Sequence, residues 1–255
     1  MNPILYNYHV NKYTNSSSKY LFLCILHELR IVSKYQMIEL LNFSIDIKEN
    51  GVTKIGDSLF KDEMIEKFKE SNRVYYFLTK RGYQSVGGYY SLPKVPEYNL
   101  AHHLEINDYL ISVIKRVKDM PSLKYIQSER RIVFETKDYT ENSKGKKYFV
   151  PDFICRFLTK EEYEVDWCFE IELTLKSRHR YMKGIFPKYI KQLKKFEEEH
   201  LLYVTPSPII KQELELYRQS FEIDDQVYNR LHIMSADNFN PEFTKLLTTD
   251  PYINW

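Results

Sequence analysis

The chain is 255 residues long with 43% hydrophobic and 28% charged residues, enough apolar side chains for one large core or two modest ones. Its 22 tyrosines and 15 phenylalanines argue against extensive disorder, and its three cysteines, Cys24, Cys155 and Cys168, lack metal-ligand spacing and read as buried thiols. The net charge of +2 does not by itself point to a polyanion partner, because phosphate binding depends on local clustering of Lys and Arg.

Residues 1–18 lack apolar periodicity and close on a serine triplet, so a flexible leader is expected. The apolar run at 20–26 is too short to span a membrane and is followed by His27 and Glu28. No export signal is visible, so a cytoplasmic protein without a membrane partner is expected. Tyr20, Leu21, Phe22, Leu23, Ile25, Leu26, Leu29 and Ile31 suit a largely buried helix, and Ser33 can cap a second through Met37, Ile38, Leu40 and Leu41. A third amphipathic stretch passes through Leu59, Met64, Ile65 and Phe68. Residues 74–79 are β-rich, and Gly82 then suits a turn carrying Lys80 and Arg81. Three helices, a strand and a basic turn over 19–92 resemble a winged helix-turn-helix domain, with a plain helical cap as the alternative. In the first reading Lys80 and Arg81 contact DNA phosphate.

Two glycines and two prolines within 87–96 interrupt periodicity, so a second domain is expected over 93–255. Leu104, Leu110, Ile111, Ile114 and Val117 mark a helix that Pro121 closes. Residues 125–135 alternate like a strand, 140–147 form a polar turn, 147–157 return as a hairpin partner and 166–176 give a third strand. A helix at 177–199, a strand at 201–205, a helix at 209–217 and a strand at 230–234 complete an α-β-β-β-α-β-α-β order. Within 173–195 stand Lys176, Arg178, Arg180, Lys183, Lys188, Lys191, Lys194 and Lys195 without one acid. A solvated helix face is the ordinary meaning of such a run; its place directly after an acidic cluster favours phosphate contact.

That cluster carries the chemistry. In a strand, side chains two apart share a face, so Glu170, Glu172, Thr174 and Lys176 are expected on one side, with Phe169, Ile171, Leu173 and Leu175 in the core. Adjacent carboxylates are costly if buried without a counter-charge. A divalent ion such as Mg²⁺ takes hard oxygen ligands, and Asp152 on the preceding strand supplies a further one. Pro151 cannot donate to a ladder, so it opens the sheet where Asp152 must leave it.

Val150-Pro151-Asp152-Phe153 followed by Glu170-Ile171-Glu172-Leu173-Thr174-Leu175-Lys176, within this α-β-β-β-α-β order, resembles the restriction-endonuclease-like PD-(D/E)xK superfamily over roughly residues 99–205. The family places its lysine two residues after the acid; here Glu172 fills that slot and Lys176 lies further along. Upstream, His103, Glu105 and Asn107 form a His-x-Glu-x-Asn segment, and Glu129 adds an acid near the sheet. Behind a winged-helix-like module, this segment is similar to that of the MOBC-type, or HEN, relaxases. The resemblance implies a metal-dependent, site- and strand-specific nick at a plasmid transfer origin, on double- or single-stranded DNA, alongside other relaxosome and coupling proteins. It implies Asp152, Glu170 and Glu172 as ligands of Mg²⁺ or Mn²⁺, with Lys176, His103, Glu105, Asn107 and Glu129 completing the site. Arg178, Arg180 and Lys183 would contact DNA. The competing readings are a non-catalytic DNA-binding accessory protein on the same scaffold and a restriction or repair nuclease. A packing or capping role is the plainer meaning of His102 and His103 taken alone.

Overall fold

The structure, a computed structural model, describes residues 2–8, 17–70, 72–90, 100–136, 150–221 and 224–254. It is mixed α/β with two sheets, and the chain divides into two compact units, Met1–Lys118 and Asp119–Trp255. The division falls later than the boundary expected within 87–96. No helix among the described residues is long and apolar enough to cross a membrane.

In the first unit, α1 (Ser17–Leu29) leads through β1 (Ile31–Ser33) to α2 (Lys34–Asn42) and α3 (Glu49–Lys61). β2 (Ile65–Glu70) and β3 (Arg73–Leu78) form a hairpin, and β3 lies between β1 and β2 in an antiparallel sheet. α4 (Lys80–Ser85) and α5 (Leu100–Val117) complete the unit. Ser33 caps α2 as expected: its hydroxyl accepts from Gln36 N and the Gln36 side chain accepts from Ser33 N, a reciprocal capping box.

Three expectations change here. The leader expected to be flexible begins instead with a buried 3₁₀ turn, Pro3–Leu5, anchored where Asn2 Nδ2 donates to Leu40 O at 2.9 Å and Tyr8 OH donates to the buried Glu28 carboxylate at 2.8 Å. Its apolar residues match no helix or strand period because Pro3, Ile4 and Leu5 are buried in succession. Residues 9–16 of that leader lie outside the described residues. The third amphipathic stretch is split, since α3 ends at Lys61 and Ile65 and Phe68 belong to β2. Lys80 and Arg81 open a helix rather than a turn: Thr79 Oγ1 accepts from Gly82 N at 3.0 Å as its N-cap. Gly82 is there for space, because a Cβ would stand 1.9 Å from the Met64 carbonyl oxygen.

In the second unit the strands are β4 (Leu123–Ser128), β5 (Phe153–Leu158), β6 (Glu164–Ile171), β7 (His200–Thr205) and β8 (Leu231–Ser235). They lie side by side in that order, antiparallel from β4 to β6 and parallel from β6 to β8. α6 (Glu129–Glu135) follows β4, α7 (Arg178–Arg180) and α8 (Phe186–Lys195) follow β6, α9 (Pro208–Gln219) and α10 (Asp225–Arg230) precede β8, and α11 (Ala236–Thr249) ends the unit. One sheet face, with Ile154, Cys168, Leu201, Tyr203 and Ile233, packs with residues of α8, α9 and α10. The other carries Trp167 and Phe169, whose rings meet Phe243 of α11 edge-on. Burial on both faces explains why β7 runs Leu201-Leu202-Tyr203-Val204 without polar alternation.

Three readings are corrected in this unit. Residues 125–135 are not one strand; β4 stops at Ser128, whose hydroxyl accepts from Arg131 N and starts α6. The third strand ends at Ile171 rather than 176, leaving Leu173 half-buried and Leu175 46% exposed instead of in the core. The expected helix over 177–199 is broken into α7, a π-helical turn at Tyr181–Ile185, and α8 with Pro187 in its first turn. Proline lacks the N–H that a continuous helix would need there. The polar turn expected at 140–147 lies outside the described residues.

Candidate active site

The end of β6 and the start of β5 are neighbours, because Phe153 pairs with Phe169. Asp152 sits one residue before β5 and fastens the two ends: its N–H donates to Phe169 O at 2.9 Å, and its Oδ2 accepts from Ile171 N at 2.7 Å. Pro151, without a donor, comes where the ladder has not begun. Glu170, two residues beyond Cys168, projects from the face covered by α8, and there Tyr189 OH donates to its Oε1 at 2.5 Å. Glu129 opens α6 and its N–H donates to Asp152 O at 3.0 Å, so a third carboxylate stands at the same edge.

Burial pushes the Asp152 carboxyl up to about 7, the hydrogen bond from Ile171 and the charge of Lys176 pull it down, and the charges of Glu129 and Glu172 raise it again. Burial also holds Glu170 well above the ordinary carboxylate range, with the negative charge of Asp152 next in weight, against the Tyr189 hydrogen bond and Lys176. With Asp152 raising Glu170, and Glu129 and Glu172 raising Asp152, the site is short of positive charge.

Glu172 is arranged differently. Beyond Ile171 the chain leaves the sheet after one more bond, from Glu172 N to Val204 O at 2.9 Å. The Glu172 side chain is 3% exposed; both its oxygens accept from Lys176 Nζ, and Oε2 also accepts from Tyr181 OH at 2.9 Å. Lys176 reaches the acids through the bend of residues 172–177, not through strand alternation as expected. Its Nζ is neutralised by Glu172 while its field still acts on Asp152 and Glu170.

Among the described residues no group of three or more His, Cys, Asp and Glu side chains is arranged to hold a metal ion as it stands. A pair suffices for Mg²⁺, which usually takes one or two carboxylates and completes its shell with water and substrate phosphate. Asp152 Oδ1 and Glu170 Oε2 accept no hydrogen bond among the described residues, so each acid keeps one oxygen for a cation. On that ground the residues fit a divalent ion held by Asp152 and Glu170, with Glu172 engaged in holding Lys176.

Arg178 and Arg180 on α7 and Lys183 in the π-helical turn are all exposed and follow Lys176 closely in the chain. The remaining expected site residues lie in the first unit. Lys80 and Arg81 are exposed on α4, with Arg81 Nη1 3.8 Å from Glu63. His103, Glu105 and Asn107 lie on α5. Asn107 is buried and its amide donates to Ile31 O at 2.9 Å, a bond that fastens α5 to β1. Burial lowers His103 to about 4, with the charges of Arg30 and His102 adding to it, and burial, then Asp108, raises Glu105. The sequence reading missed Tyr181 and Tyr189. Both are ordinary core positions by periodicity, and nothing in a chain of 22 tyrosines sets them apart.

No protein-family model, curated protein or solved structure matches the chain.

Proposed function

We propose that this chain is a metal-dependent DNA endonuclease, and that its form is a relaxase that nicks one strand at a plasmid transfer origin. The observation that carries the nuclease reading is the half-buried pair Asp152 and Glu170, each with one oxygen to offer, beside Lys176. Three antiparallel strands followed by a parallel fourth, with Pro-Asp before the second and Glu at the end of the third, support the restriction-endonuclease-like core that the motif resemblance implies. The order helix, strand, helix, helix, strand, strand in the first unit supports a winged-helix, DNA-binding reading of that part. The relaxase form, with its relaxosome and coupling partners, rests on the resemblance of the His-x-Glu-x-Asn segment.

Mg²⁺ or Mn²⁺, when bound, would stabilise charge on the scissile phosphate and acidify a bound water. Asp152 and Glu170 would hold the ion. Lys176, held by Glu172, would add positive charge near the phosphate and favour its added negative charge. Tyr189 and Tyr181 each donate to a carboxylate and so orient the acids. Arg178, Arg180 and Lys183 would track the backbone.

The test is incubation of the protein with supercoiled plasmid bearing or lacking a transfer origin, with Mg²⁺, Mn²⁺ or chelator. Metal-dependent conversion of the origin plasmid to open circle is expected, abolished by Asp152→Ala or Glu170→Ala while DNA binding persists. Linear product from an unrelated plasmid at a comparable rate would leave a plain nuclease; no cleavage with any metal would reject both.

A further inference from the structure

Within the first unit, the N-terminus of α2, the start of β3 and one side of α5 enclose a cavity of about 590 Å³, inside the range of about 300–1,000 Å³ typical of small-ligand pockets. Its walls carry Lys34, Tyr35, Asn72, Arg73, Asp108 and Lys115. The Tyr35 side chain is 64% exposed, a large aromatic left in water. The Arg73 side chain, at the head of β3, has no hydrogen-bond or ion-pair partner among the described residues, although its charge is felt at Asp108. Lys34 and Lys115 are held only by surface pairs, with Glu49 and Glu39 at 2.5 Å each; such pairs are weak and exchange readily for a phosphate.

The floor is rigid. Gln36 Nε2 donates to Leu104 O at 2.8 Å and to Asp108 Oδ1 at 2.7 Å, tying α2 to α5. Asp108 Oδ2 accepts no hydrogen bond among the described residues, and Asp108 lines the cavity. An exposed aromatic ring, a guanidinium and a carboxylate oxygen on the walls of one cavity are the groups that recognise a nucleotide: a base to stack, a phosphate to pair and a base-edge N–H to receive. A base held inside a duplex stack cannot enter such a cavity, whereas an unstacked one can.

We propose that this cleft binds a single unstacked nucleotide, its base against Tyr35 and its phosphate on Arg73, and that in the cell this nucleotide belongs to single-stranded DNA. The inference rests on the nucleic-acid reading of the chain and adds a single-strand site apart from the carboxylates. In a nicking protein it would hold an unpaired stretch of the target.

The full-length protein, in chelator so that cleavage plays no part, is titrated into a short labelled single strand and into the matching duplex, with fluorescence anisotropy as the readout. Tyr35→Ser and Arg73→Ala should each weaken single-strand binding by about tenfold or more, leave duplex binding unchanged and leave the thermal melt intact, since both side chains are on the surface. Tyr35→Phe should retain affinity, because stacking needs the ring and not the hydroxyl. Competition by free deoxynucleoside monophosphates, lost in Tyr35→Ser, would identify a free nucleotide as an occupant of the same site; absence of competition with the variant effects intact assigns it to the strand. Undiminished single-strand affinity in both variants, or equal losses on duplex and single strand, overturns the proposal. If the parent protein binds no DNA of either kind, the nucleic-acid reading itself falls, and that result is distinct from indifferent variants of a protein that binds.

Discussion

Asp152 keeps its proton to about 7 in the folded chain, whereas an unfolded Asp releases it near the ordinary value of about 4. Between those limits the unfolded state binds fewer protons, so the stability linked to this group is fully present below the lower limit and is lost as pH rises toward the upper. Without metal, Asp152→Asn should therefore lose less melting temperature than the parent between about pH 5 and about pH 8, as followed by circular dichroism. A divalent ion competes with the same proton. The Mg²⁺ concentration for half-maximal cleavage should fall as pH rises through about 7, and a flat profile would mean that this proton is not linked to the metal. Glu172 and Lys176 behave as a unit: Lys176→Ala leaves a carboxylate of 3% exposure without its cation. The cost should be roughly 2–3 kcal/mol, below the fully buried range because the lysine is partly in water. In urea unfolding, Glu172→Gln combined with Lys176→Met should cost less than the sum of the single changes; strict additivity would mean that the pair does not interact.

At the scale of elements, Gly82 ties α4 to the strand pair. Met64 O accepts from Thr79 N at 3.1 Å and from Thr79 Oγ1 at 3.0 Å, so the carbonyl that a Cβ would strike is pinned. Gly82→Ala should destabilise by about 2 kcal/mol or more, read as a lower melting temperature, and should weaken DNA binding if Lys80 and Arg81 touch phosphate. An unchanged melt would show that α4 can shift at little cost. Elements with an unbroken apolar period were legible in the sequence, as β3, α5, β7 and β8 were. Those that failed did so where two local signals compete. Alternation continues past Ser128, yet Ser128 is a good N-cap and the chain turns helical there. Alternation continues past Ile171 as well, but β5 starts at Phe153 and β7 stops at Thr205, so among the described residues no ladder partner remains for residues 173–176.

At the scale of the molecule, all five strands of the larger sheet and the helices on both its faces lie within Asp119–Trp255. A fragment of residues 119–255 should melt cooperatively, elute as a single species and bind DNA more weakly than the whole chain, as phosphate contacts from the first unit disappear. A fragment beginning near residue 93 carries α5 as well. Asn107, Leu110, Ile111, Val113, Ile114 and Val117 are buried in α5, which packs with β1 and α2. Deprived of both, that fragment should associate through the stripped apolar face, visible by light scattering. Equal behaviour of the two fragments would mean that α5 needs no partner from the first unit.

By itself the sequence determined the acids and their order, because Pro-Asp before one strand and Glu-x-Glu at the end of the next are local features of chain chemistry. It likewise determined most elements whose hydrophobic period runs unbroken. Only the tertiary structure decided which partners those acids take. Whether Glu172 faces a metal or a lysine depends on where β6 loses its neighbours and bends, and that depends on strands distant in sequence. The tyrosines that orient the carboxylates come from the segments after β6, and Asn107 is committed to Ile31 by the packing of α5. These are contacts at long sequence separation, and no period or short motif encodes them.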